Sequence, residues 1–104
     1  MGIASASCVT GTVEGTGAAI DINLGFVPTW VRVFNYDGGP VVLEWFQGMT
    51  DAHAMKFLGT PTITLLTSLG ISELDDGVST GFTIGADTDL NVADETMFYI
   101  ACRD

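Results

Sequence analysis

Hydrophobic and polar residues along this chain alternate with a period of two rather than 3.6. Ile20, Ile22 and Leu24 alternate with Asp21 and Asn23, the pattern of a strand with one buried and one wet face. Residues 30–36, Trp-Val-Arg-Val-Phe-Asn-Tyr, are rich in the β-branched and aromatic types that suit a pleated surface. Their alternation puts Val31, Val33 and Asn35 on one face and Trp30, Arg32, Phe34 and Tyr36 on the other. Arg32 among rings predicts a guanidinium stacked on an aromatic face. Asp37, Gly38, Gly39 and Pro40 form a strong turn signal. Residues 41–46 then return as a second strand, so residues 29–47 read as a β-hairpin entered at Pro28.

Further strands are predicted at 62–67, after Pro61, at 82–84 and at 96–102, with a weaker one at 7–13 ahead of the turn at Gly15, Thr16 and Gly17. Residues 50–58 suit either one or two helical turns capped by Thr50 or Asp51, or a short strand carrying Met55 and Phe57. Their place in a run of evenly spaced strands favours the strand. About seven or eight short, mostly antiparallel strands joined by Gly-rich turns predict an all-β fold, a β-sandwich or small jelly-roll-like barrel.

Length and composition make that fold a single ordered domain. The chain has 104 residues, 47% of them hydrophobic and only 15% charged, with no linker, repeat or composition break. Residues 1–104 are read as one domain, with residues 1–7 as a short N-terminal arm. Three basic residues against thirteen acidic ones give a net charge of −10. Nucleic-acid binding rests on cationic side chains that displace counterions, and anionic lipid demands the same charge. Neither a nucleic acid nor a membrane surface is expected as a partner.

The N-terminus has no basic segment followed by an apolar one, and no stretch approaches the roughly 20 apolar residues of a membrane-spanning helix. The expectation is a protein made and kept in the cytoplasm of its producing cell. Cys8 and Cys102 could tie the two ends of the chain together as a disulfide, but in that compartment they are expected as free thiols, behaving as small buried hydrophobes.

Candidate chemistry is sparse. Asp87, Asp89 and Asn91 offer oxygens at alternate positions, as a calcium loop does, but Val92 and Phe98 stand where such a loop needs its glycine and glutamate. An acidic surface loop is the expectation, with no metal. His53, the single histidine, has no nucleophile elbow or reactive cysteine setting beside it. Asp75, Asp76 and Gly77 read as a solvated turn rather than as half of a carboxylate pair. No Gly-rich segment carries the lysine of a phosphate loop. Neither an enzyme nor a cofactor is expected. What remains is an aromatic set that suits the core or an interface, and Trp30, Tyr36, Trp45, Phe46 and His53 are the candidate contacts to a partner or second subunit.

Three stretches carry a family resemblance. They are residues 24–33, Leu-Gly-Phe-Val-Pro-Thr-Trp-Val-Arg-Val; residues 43–49, Leu-Glu-Trp-Phe-Gln-Gly-Met; and residues 81–92, Gly-Phe-Thr-Ile-Gly-Ala-Asp-Thr-Asp-Leu-Asn-Val. Together they resemble small virion structural proteins of tailed bacteriophages, and the likeness runs from about residue 19 to residue 100. It implies a capsid decoration, or cement, protein: a homo-oligomer, usually a trimer, on the outside of the major capsid protein lattice. It places the protein on the capsid surface of the virion, assembled in the host cytoplasm. The Gly25, Phe26, Pro28 and Val31 element also looks like one in tail-fibre modules that bind receptors or carbohydrate, which is the alternative reading.

Overall fold

A computed structural model of the chain describes residues 7–38, 40–59 and 62–103. Eight strands follow one another: β1 (Ser7–Glu14), β2 (Ile20–Asn23), β3 (Trp30–Asn35), β4 (Val41–Phe46), β5 (His53–Phe57), β6 (Ile63–Asp75), β7 (Thr80–Ile84) and β8 (Thr96–Arg103). All pairings are antiparallel and form one curled sheet in the order β1-β8-β3-β4-β5-β6-β7-β2. The all-β expectation holds, and so do the 29–47 hairpin and the strand reading of residues 50–58. The expected N-terminal arm lies outside the described residues except for Ser7, which opens β1. Gly39 and Pro61 lie outside them as well.

The curl is made in β6. Ala54 of β5 pairs with Leu66, but its neighbour His53 pairs with Ile71, so four residues of β6 are looped out between successive partners. Leu69 takes a left-handed conformation there, with φ 62°. Gly70 follows where a Cβ would lie 2.7 Å from the Ala52 carbonyl oxygen, so the corner closes only around a residue with no side chain. The inner face of the curl holds the core: Val31, Val33, Leu43, Trp45, Ile71, Phe82, Ile84, Met97 and Ala101 are all buried. Within this core Trp45 Nε1 is buried with no hydrogen-bond partner among the described residues.

An open curl leaves its inner face unsealed at the mouth, and residues 85–95 close it. Residues 87–95 of this stretch are expected as an acidic surface loop. Thr88, Asp89, Ala93 and Asp94 are exposed accordingly, but the structure buries Asp87, Leu90 and Asn91. The Lys56 ammonium explains this: it reaches Asp87 Oδ1 at 3.0 Å and Asp89 Oδ2 at 2.6 Å from the inner face of β5. Asp87 Oδ2 also accepts the backbone N–H groups of Asp89 and Leu90, so both of its oxygens are satisfied. Asn91 then fastens the loop across the fold, donating to the Ala18 and Gly85 carbonyls and accepting from Thr16 N–H. Asn35 of β3 donates to the Leu90 carbonyl at 2.9 Å and to Glu95 Oε1 at 2.8 Å.

The cysteines correct the free-thiol expectation. Cys8 and Cys102 are directly opposite in the β1–β8 ladder and form a disulfide, closing a separation of 94 residues. Sequence distance placed them at opposite ends of the chain, and only strand pairing brings them together.

Two stability predictions follow from these contacts. Reduction, or Cys8→Ser with Cys102→Ser, is expected to cost up to about 4–5 kcal/mol by loop entropy. Urea unfolding of oxidised and reduced protein reads the difference, and native intact mass lacking two hydrogens confirms the bond. Lys56→Met leaves the Asp87 carboxylate buried without its cation and is expected to cost about 3–5 kcal/mol. Burial alone would lower the Lys56 pKa, but the hydrogen bonds and charges of Asp89 and Asp87 outweigh it and raise the value above 10.5. The pair's contribution is therefore fully present below pH 10.5 and fades as pH rises through the raised folded-state value. A denaturation series from neutral to alkaline pH, run on wild type and Lys56→Met, should show that difference shrinking only at the alkaline end.

Candidate functional site

The same alternation that fills the core leaves a second face outside, and that face is also apolar. Register aligns its side chains in rows across the strands. One row runs Thr12, Phe98, Phe34, Val42, Phe57, Ile63, each directly opposite the next from β1 to β6. The next runs Thr10, Ile100, Arg32, Glu44, Met55, Leu65, and the third Cys8, Cys102, Trp30, Phe46. At the usual strand spacing the first row extends about 24 Å. Of the thirteen acids in the chain, these rows hold only Glu44.

The rings are in contact with one another. Phe34 and Phe98 stack with centroids 5.5 Å apart, and Tyr36 meets Phe98 edge-on at 5.2 Å. They remain accessible: Phe34 is 40% exposed, Phe98 37%, Ile63 60% and Leu65 54%. Beside them lies a groove of about 440 Å³ lined by Thr10, Arg32, Phe34, Val42, Phe98 and Ile100. An exposed apolar face of this kind on a small acidic protein is the strongest candidate for an interaction surface.

Arg32 gives the groove its one charge. Glu44 is its cross-strand partner, yet Glu44 Oε2 accepts the Trp30 Nε1–H at 2.6 Å. No carboxylate lies within ion-pairing distance of Arg32 among the described residues. Nor is it stacked on a ring, as expected: the guanidinium over an aromatic face is that of Arg103, 5.4 Å from the Phe26 centroid. The chain thus places an uncommitted cation in an apolar groove.

The five expected contact residues separate. Trp30 and Phe46 lie together in the third outer row, Phe46 half-exposed and Trp30 half-buried, and Tyr36 is 66% exposed beside Phe98. His53 is half-buried at the β5–β6 register shift. Trp45 is 1% exposed and belongs to the core, because its position on β4 shares the inner face with Leu43. Sequence reasoning missed Phe98, Val42, Ile100 and Thr10, since rows across the sheet are set by register and not by local pattern. Phe34 carried a signal in the alternation of residues 30–36.

Other chemistry does not assemble. Asp76 Oδ1 accepts the backbone N–H groups of Ser79 and Val78, which hold its carboxyl below the usual value, as the expected solvated turn requires. Among the described residues no group of three or more His, Cys, Asp or Glu is placed to hold a metal ion, and no helix is long and apolar enough to cross a membrane. No protein-family model matches the chain, and neither a curated protein nor a solved structure matches it.

The groove is expected to take up the anionic dye 8-anilinonaphthalene-1-sulfonate in the native state, its rings against Phe98 and its sulfonate at Arg32. Fluorescence titration should give several-fold weaker binding for Arg32→Gln and loss of the signal for Val42→Asp. Equal binding by both variants would show that the dye sits elsewhere.

Proposed function

We propose that the chain is a structural virion protein of a tailed bacteriophage, a capsid decoration or cement protein that binds the outside of the major capsid protein lattice and stabilises the head. The observation that carries this reading is the outer face: mainly apolar rows across six strands, with Glu44 their single acid, on a chain of charge −10. Such a face buries well against a partner, while the acidic remainder of the surface keeps the protein away from nucleic acid and anionic lipid. A sheet whose edge strand β1 is tied to β8 by a disulfide suits a part that resists load. In this role the chain works in many copies as a homo-oligomer on the virion surface, assembled in the host cytoplasm. The threefold symmetry rests on the family resemblance alone.

One observation favours the alternative, a tail-fibre module that binds receptor or carbohydrate. Tyr36 presents an exposed ring, and such rings stack on sugars. Against it, Trp45 is buried and Trp30 half-buried, so neither indole is a fully exposed platform.

Immunogold labelling of virions of the encoding phage separates the readings. Label in many copies over the heads is the expected result. Label confined to the tail tip favours the module, and unlabelled virions exclude both. Val42→Asp, in the middle of the first row, is expected to weaken binding to purified heads at least ~10-fold, as a central interface position does. Its unfolding midpoint should stay close to wild type.

A further inference from the structure

We propose that two copies of the chain join antiparallel through β1, about a twofold axis at Gly11, so that their two sheets become one. The inference stands on the geometry of the sheet edge and does not depend on the virion role.

The backbone of β8 fixes which way β1 faces. The Cys102 carbonyl accepts Thr29 N–H at 2.7 Å and the Thr96 carbonyl accepts Tyr36 N–H at 2.8 Å, both on the β3 side. Even-numbered residues of β8 therefore turn toward β3, and Met97, Tyr99 and Ala101 turn toward Val13, Gly11 and Val9 of β1. The bond from Gly15 N–H to the Glu95 carbonyl, 2.8 Å, continues the same parity. Cys8, Thr10, Thr12 and Glu14 are left with their N–H and C=O groups directed off the edge, and none of these groups is bonded among the described residues.

Exposed edges are ordinarily blunted by lysine, proline, a bulge or a covering segment. β1 has no lysine, arginine or proline, and its register with β8 runs unbroken over eight pairs. A second copy of β1 fits it. With Thr10 opposite the partner's Thr12 and Cys8 opposite the partner's Glu14, all four outward positions on each strand are matched, making about eight new bonds. No two acids face each other, although the chains carry −10 apiece. The other edge of the sheet, β2, is only four residues long and carries Asp21, so a head-to-tail union of β1 with β2 leaves half of β1 unmatched.

The twofold axis is perpendicular to the sheet, so both outer faces end on the same side. The groove rimmed by Thr10 then adjoins the seam from each copy, and the dimer offers two grooves side by side to whatever covers them. Engagement of both makes the second contact intramolecular, which raises avidity without any new contact.

Sedimentation velocity over a range of concentrations tests the proposal. Wild type should be a dimer. Thr10→Pro and Thr12→Pro each remove one outward N–H that β8 does not use, and each should dissociate the dimer at least ~10-fold more readily while native circular dichroism is kept. A second pair of variants covers misfolding by proline. Chains with Thr10→Lys and Thr12→Lys should be monomers alone, as should chains with Thr10→Glu and Thr12→Glu, and the two should dimerise when mixed. A monomeric or trimeric wild type would overturn the proposal, as would dimers unaffected by proline or charge variants that fail to pair. A trimer overturns the seam and leaves the virion role standing, whereas a dimer absent from virions does the reverse.

Discussion

An eight-stranded sheet that curls without closing has an inner face open at one mouth, and one ammonium group governs how that mouth is sealed. Lys56 points inward from β5 to the carboxylates of Asp87 and Asp89, drawing the connection between β7 and β8 over the core. Leu90 is thereby fully buried, and Asn91 and Asn35 complete the closure with hydrogen bonds to backbone carbonyls. A buried ion pair is not a cheap source of stability, since both ions lose water. Its value here is positional. The pair fixes where a polar loop lies over an apolar interior, and the rest of the curl packs beneath it.

With the mouth sealed from inside, the outer face carries no duty to the core. That frees it to be apolar, and it is apolar far beyond what a monomer of this size needs. Strands β3, β4 and β8 are therefore hydrophobic on both faces, with buried valines and Leu43 inward and Phe34, Val42 and Phe98 outward. Arg32 and Glu44 stand opposite each other in the middle of this face, yet Glu44 is held by Trp30. The guanidinium is left available to a carboxylate on a docking partner, a geometry it matches well. Thr10 and Ile100 extend the same groove to the β1 edge, so the docking face and the dimer seam we propose are continuous.

Much of the fold was legible because strand alternation is a local property. The faces of residues 30–36, the hairpin and the turn at Asp76 all follow from neighbours in sequence. The disulfide was legible only as the disfavoured of two readings. Compartment arguments weighed against it, and the facing of Cys8 and Cys102 depends on β1 crossing the whole chain to pair with β8. The loop at 85–95 misled for a related reason. Its acids look solvated when read alone, and the cation that buries Asp87 lies 31 residues away. Trp45 was grouped with Trp30 among the candidate partner contacts, but adjacent strands pair Trp30 with Phe46, which puts Trp45 on the opposite face.

The pattern of the chain by itself determined an all-β domain, an acidic surface unsuited to phosphate backbones, and an aromatic surplus in residues 30–46. Each is a property of composition or of period two, and neither changes when distant segments move. Tertiary structure decided which cysteines bond, which aspartate is buried, and which aromatic side chains share a face. These depend on strand order and register, where a shift of one residue exchanges the two faces of the sheet. Only the assembled sheet turns scattered phenylalanines into one surface and leaves β1 as an open edge beside it.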